Sequence, residues 1–142
     1  MNCKIQKSKL NGRITCPSNK SYTHRAIFLA ALSDGKSIVK KILRSNDTIS
    51  TINACRGFGV EVEEVEDKVT INNTIDSTVE NSMIDAGNSG TTIRIAIAIA
   101  GLSGGNTKLT GDESLRKRPM QPILDALETM GVKTESDDGK PP

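Results

Sequence analysis

Apolar and polar positions along the chain fall into short blocks of changing period. Ala26-Ile27-Phe28-Leu29-Ala30-Ala31-Leu32 is an unbroken apolar run, entered through Cys16-Pro17-Ser18-Asn19 and followed by Gly35. Strong helix formers between a polar turn and a glycine predict a helix from Ser21 to about Ser33. Ser37 to Ile42 predicts a strand. Ser45-Asn46-Asp47 then offers capping side chains for a second helix, which carries Ile49, Ile52 and Cys55 and stops at Gly57 and Gly59. Val60 to Glu63 and Val69 to Ile71 alternate as the arms of a hairpin around Glu66-Asp67-Lys68. Ahead of all these, Lys4 to Ser8 and Gly12 to Cys16 read as two short strands about an Asn11-Gly12 turn.

The same order then recurs. Asp85 to Arg94 leads into Ile95-Ala96-Ile97-Ala98-Ile99-Ala100 as Asn19 to Arg25 leads into Ala26 to Leu32. Arg94 stands 69 residues after Arg25, Leu102 70 after Leu32, and Gly131 72 after Gly59. Such constant spacing is the signature of an internal duplication of about seventy residues. It divides the chain into opening strands (1–16), a first unit (17–76) and a second unit (77–142), each expected to run strand, helix, strand, helix, strand, strand. The duplication also decides between two readings of Ile93 to Ala100. Their alternation has the period of a strand, but the repeat partner is helical, and an Ala-rich helix buried on most sides has no clean stripe. A helix is expected. Further on, Pro119 fits a first helical position, with Ile123, Leu124, Leu127 and Met130 as the apolar stripe.

Composition narrows the class. A chain of 142 residues is one ordinary domain by length, and its net charge is only +2. Aromatic residues are 2% with no Trp, so the stacking platforms that hold single-stranded nucleic acid are nearly absent. Cys3, Cys16 and Cys55 are odd in number and lack a CxxC, against both a disulfide framework and a zinc site. No stretch is long and apolar enough to span a bilayer, and the N-terminus has no apolar signal core. A soluble, cytoplasmic protein is expected.

The chemistry sits at the helix starts. Lys20 and Arg25 flank the beginning of the first helix, where the macrodipole and unpaired N–H groups favour negative charge. Such a conflict reads either as a basic face in water or as a place for an anion, whose oxygens would meet free N–H groups, the Ser21 hydroxyl and both cations. The second unit repeats it: Gly87-Asn88-Ser89-Gly90-Thr91-Thr92 lets backbone N–H groups approach a ligand, and Arg94 follows one turn on. Arg116-Lys117-Arg118 before Pro119 makes a third basic helix start. Three of them in one nearly neutral chain point to a small polyanionic ligand.

Lys20-Ser21-x-x-x-Arg25-Ala26, Gly87-Asn88-Ser89-Gly90-Thr91-x-x-Arg94, and Leu109-Thr110-Gly111-Asp112 with Arg118-Pro119 together resemble the N-terminal part of the 5-enolpyruvylshikimate-3-phosphate synthase family. The resemblance covers almost the whole chain. It implies an α/β protein of repeated units arranged as an inside-out α/β barrel of the enolpyruvyl transferase type, here incomplete. The implied reaction moves the enolpyruvyl group of phosphoenolpyruvate to the 5-hydroxyl of shikimate 3-phosphate, releasing phosphate without metal or organic cofactor. Carried over by residue, Lys20 meets both substrates and Ser21 and Arg25 bind shikimate 3-phosphate. Asn88, Gly90 and Arg118 lie at the phosphoenolpyruvate, Thr91 joins them as a substrate-binding residue, and Asp47 is an acidic residue near the cleft that joins Lys20 as a catalytic candidate. The remainder of the enzyme is the implied partner, with residues 1–16 crossing toward it and the 142-residue chain inactive alone. Nucleic acid and membrane are not expected partners.

Two details depart from the family pattern. Pro17-Ser18-Asn19-Lys20 replaces a common Pro-Gly-Ser-Lys, and Ile95 stands where a proline often follows the arginine. UDP-N-acetylglucosamine enolpyruvyl transferase shares the fold but typically has Lys-Asn where this chain has Lys20-Ser21. RNA 3′-phosphate cyclase, a distant relative, would need a nucleic-acid surface. A non-catalytic phosphate-binding module is the remaining alternative.

Overall fold

A computed structural model of the chain describes residues 3–4, 6–75 and 82–142. The first helix, α1 (Lys20–Leu32), begins where Asn19 caps it: the Asn19 side chain accepts the Tyr22 N–H at 3.0 Å. Ile27, Phe28, Ala30 and Ala31 turn inward, whereas Ser21, Arg25 and Leu29 face outward. Strand β1 (Ser37–Val39) is shorter than the expected Ser37 to Ile42. Lys41 adopts a left-handed conformation, φ 57°, which ends the strand and turns Ile42 into the core. Helix α2 (Asn46–Gly57) carries a capping box, with Ser45 and Thr48 each satisfying the other's backbone N–H.

The hairpin is β2 (Val62–Val65) and β3 (Lys68–Ile71), turning at Glu66 and Asp67. Its first arm lies two residues later than expected, because Val60 is still buried at the end of the α2 turn. A slip of two preserves the faces. In the antiparallel sheet β1-β3-β2, β3 is central, pairing Val69 with both Val39 and Glu64. Strand β4 (Ser82–Asp85), helix α3 (Gly90–Ala100) and strand β5 (Thr107–Thr110) form a β-α-β crossover with parallel strands, Ile84 opposite Leu109. Two shorter helices follow, α4 (Glu113–Arg116) and α5 (Gln121–Thr129).

Helix α3 is the expected helix and not the strand that the alternation suggests, and the packing explains why the pattern misleads. Ala96 and Ile99 belong to one core, with Ile27, Phe28, Ile52, Phe58, Val69, Ile71 and Ile84. Ile93 and Ile97 belong to a second, with Ala86, Leu115, Met120 and Leu124. A helix wedged between two cores needs apolar residues on two faces, which erases the single stripe.

Three expectations fail. Among the described residues of 3–16 there is no strand; Leu10 and Ile14 are almost fully exposed, and a strand without a neighbour has nothing to bond its backbone to. The second unit does not finish with a strand pair either, since residues 133–142 hold only an isolated bridge between Asp137 and Lys140. Nor does Pro119 open a helix. Met120 precedes α5, Pro122 takes the tolerated early position, and Met130 is exposed rather than part of the stripe. Arg116 therefore closes α4, and Lys117 and Arg118 follow its C-terminus, the helix end that favours cations. Residues 76–81, which hold the expected boundary between the two units, lie outside the described residues.

Candidate functional site

The three motifs meet. Lys20, at the first position of α1, Asp47, in the first turn of α2, and Asn88, Gly90, Thr91, Arg94 and Arg118 line one open cavity of about 460 Å³. Six come from the starts of α1, α2 and α3 or the loop before α3, which the packing of these helices brings together, and Arg118 comes from the segment that follows α4. Six of these seven are the site residues expected from sequence, and Arg94, read there as the basic residue one turn into the second unit's helix, is the seventh.

Lys20 Nζ donates to Asp47 Oδ2 at 2.6 Å, the Lys20 side chain being half exposed. On the other side, Arg94 Nη1 donates to the Gly90 carbonyl at 3.2 Å and Nη2 to the Pro119 carbonyl at 3.3 Å. Arg118 Nη2 donates to Asn88 Oδ1, and Asn88 Nδ2 donates to Asp112 Oδ2 at 2.7 Å. Asp112 is the cap of α4 and accepts the Leu115 N–H at 2.8 Å. That backbone bond, then the bond from Asn88, holds the exposed Asp112 carboxyl below the ordinary carboxylate range. Asp112, expected only as part of a motif, thus orients Asn88, and Asn88 orients Arg118.

Gly90 shows how tightly the two arginines converge. A Cβ at Gly90 would lie 2.9 Å from both Arg94 Nη1 and Arg118 Nη1. Among the described residues neither arginine makes an ion pair. Two guanidinium groups therefore stand over the start of α3, whose first N–H groups have no partner within the helix. All three features repel one another and would be reconciled by the oxygens of an anion.

Ser21 and Arg25 are not brought into this cavity; both are exposed on α1. Beneath the cavity floor lies a buried polar group that no single residue announced in the sequence. His24 Nδ1 is 2.6 Å from Thr51 Oγ1, which is 2.7 Å from Thr92 Oγ1, itself 2.7 Å from Ser89 Oγ. Burial depresses the His24 pKa below its ordinary 6.5, against the pull of Asp47 and with the push of Lys20. The Cys55 thiol, also buried, is pushed up to about 12 and is chemically quiet. Among the described residues no group of His, Cys, Asp and Glu is placed to hold a metal ion, and no helix is long and apolar enough to cross a membrane.

The family model for EPSP synthase (3-phosphoshikimate 1-carboxyvinyltransferase) matches residues 5–142. The 3-phosphoshikimate 1-carboxyvinyltransferase of Nitrosopumilus maritimus (strain SCM1) is 53% identical over 142 residues, covering 100% of this chain and 34% of that protein. The protein of the same name from Methanothermobacter thermautotrophicus is 45% identical over 145 residues, covering 100% of this chain and 35% of its own length. Among solved structures, EPSP synthase from Acinetobacter baumannii superposes with a TM-score of 0.78 at 34% identity, over 92% of this chain and 31% of that one. The chain spans about a third of the length of these relatives. Whole-chain identity, the family match and a like fold agree, and the chain belongs to the EPSP synthase family.

Proposed function

We propose that this chain is part of an enolpyruvyl transferase that moves the enolpyruvyl group of phosphoenolpyruvate to the 5-hydroxyl of shikimate 3-phosphate, a cytoplasmic step toward aromatic amino acids. The observation that carries the reading is the gathering of Arg94 and Arg118 over the α3 start, across one cavity from the Lys20–Asp47 pair. Joining two phosphorylated anions requires cations fixed in advance, so that repulsion between substrates is offset before they meet. In this reading Arg118, Asn88, Gly90 and Thr91 hold phosphoenolpyruvate. Lys20, kept in place by Asp47, faces both substrates, while Ser21 and Arg25 take the phosphate of the shikimate ring from the outer face of α1. The finer architecture belongs to the same proposal: residues 17–76 and 77–142 are two units of an inside-out barrel, 1–16 cross to its other half, and further residues of the enzyme complete the cleft.

Amide shift titration of the 142-residue chain tests this. Phosphoenolpyruvate should move Gly87 to Thr91 and Lys20 most, and shikimate 3-phosphate should move Ser18 to Arg25. With two or three charge-assisted contacts in an open cavity, a dissociation constant on the order of millimolar is expected. Shifts of equal size at every lysine and arginine would reduce the cavity to nonspecific charge.

A further inference from the structure

Two rungs join α1 to α2. Lys20 and Asp47 make the outer one at 2.6 Å; His24 and Thr51, each four residues further along its helix, make the inner one at 2.6 Å. A spacing of four places both members of a helix on the same face, so the buried rung lies one turn below the exposed one. The inner rung continues into the third helix through the contact of Thr51 with Thr92, and both threonine hydroxyls lie within 3.4 Å of the Asp47 carbonyl oxygen.

His24 is an expensive residue for this place. It is 1% exposed, and its Nε2 meets no hydrogen-bond partner among the described residues. The repeat supplies the comparison: the spacing of 69 residues that relates Arg25 to Arg94 relates His24 to Ile93, which is 0% exposed in its own core. An isoleucine would fill such a site with no unpaired polar atom. The difference between the two units is that α1 has Thr51 to meet and must hold Lys20 against Asp47.

We infer that His24, through Thr51 and Thr92, is a positioning residue that ties α2, one turn below Asp47, to the Ser89 cap of α3 and thereby sets the Lys20–Asp47 pair at the cavity mouth. The hydrogens run in one direction. Leaving a lone pair rather than an N–H unpaired at Nε2 makes Nδ1–H the donor to Thr51 Oγ1; the Thr51 hydroxyl then donates to Thr92 Oγ1, and Thr92 to Ser89 Oγ. Ser89 Oγ also accepts the Thr92 N–H and caps α3, so the chain of bonds ends in the loop that bears Asn88 and Gly90. Networks of this kind act as units, so one break is felt at both ends. The consequence for ligand rests on the enolpyruvyl transferase reading; the positioning of Lys20 does not.

The test uses the 142-residue chain and Thr51→Val, which removes one hydroxyl without changing shape. In the unaltered chain, nitrogen NMR of His24 should show a single neutral Nδ1–H tautomer, and a clear proton–proton cross-relaxation signal should link the Lys20 ε-methylene to the Asp47 β-methylene. Thr51→Val should weaken that signal by at least half and lower affinity for phosphoenolpyruvate about tenfold, within the range of couplings seen for residues in one network. Thr51→Ser, which keeps the hydroxyl, should restore both. Should Thr51→Val fail to fold, Thr92→Val tests the same chain of bonds from the α3 side. A Thr51→Val or Thr92→Val protein that is less stable but keeps the Lys20–Asp47 signal and its affinity gives the network a merely structural role and overturns the inference, as does an Nε2–H tautomer. Absence of phosphoenolpyruvate binding in the unaltered chain, with the signal still dependent on Thr51, overturns the proposed function and leaves the positioning intact.

Discussion

Gly90 and His24 show how single residues are constrained by what surrounds them. At Gly90 a methyl group would press on two guanidinium groups at 2.9 Å, and both would have to swing outward. Gly90→Ala is therefore expected to weaken phosphoenolpyruvate binding by about 1–2 kcal/mol, the scale of a small overpacking, while unfolding by denaturant shows no loss of stability because alanine suits a helix better than glycine. Titration calorimetry beside denaturant unfolding checks the two opposite signs. For His24 the sign follows from linkage. Its folded pKa lies below the ordinary 6.5, so between those values the unfolded chain binds more protons. The His24 contribution is fully present above about pH 6.5 and falls as pH drops, by at most about 1.4 kcal/mol per pH unit. Denaturant midpoints measured from pH 7.5 to 5.5 should decline, and the decline should vanish in His24→Leu. Asp112 acts in a different window, since its lowered pKa matters only as pH falls below its ordinary 3.8.

Among the elements, α2 carries the most responsibility, touching α1, α3 and β4 while presenting Asp47. Its last residue, Gly57, lets β4 approach: a Cβ there would sit 2.8 Å from Ile84 Cγ1, and Ile84 is only 2% exposed. Two effects oppose in Gly57→Ala. Helix propensity favours alanine by up to about 1 kcal/mol, less at a terminus, whereas forcing a methyl into a packed core costs about 1–3 kcal/mol. Packing should prevail, with a net loss near 1 kcal/mol in denaturant unfolding at unchanged m-value. The element scale is also where sequence reading was weakest. Helix α3 carries the alternation of a strand because it serves two cores, and only its likeness to the first segment marked it as a helix; α5 begins later than Pro119 because Glu113 to Arg116 form a short helix of their own.

For the molecule as a whole, the decisive feature is that the cavity is open to water. Exposed charges are screened over a Debye length of about 8 Å at physiological salt, so the cluster can attract an anion but cannot exclude solvent from a reaction. The 142-residue chain alone is expected to release no phosphate from phosphoenolpyruvate and shikimate 3-phosphate above a Lys20→Ala control, and its anion binding should weaken as salt is added. Sequence by itself showed the constant spacing of about seventy residues between like segments, the starts of α1, α2 and α3, and the cations beside them. Those are local facts, written in spacing, capping residues and glycines. The tertiary structure decided which cations share a cavity, separating Arg25 from Lys20 and bringing Arg94 to Arg118. It also decided that Asp112 would orient Asn88 and that His24, Thr51 and Thr92 would meet beneath Asp47. Contacts between residues 27 and 41 positions apart depend on how helices pack, and no local pattern of residue types encodes that packing.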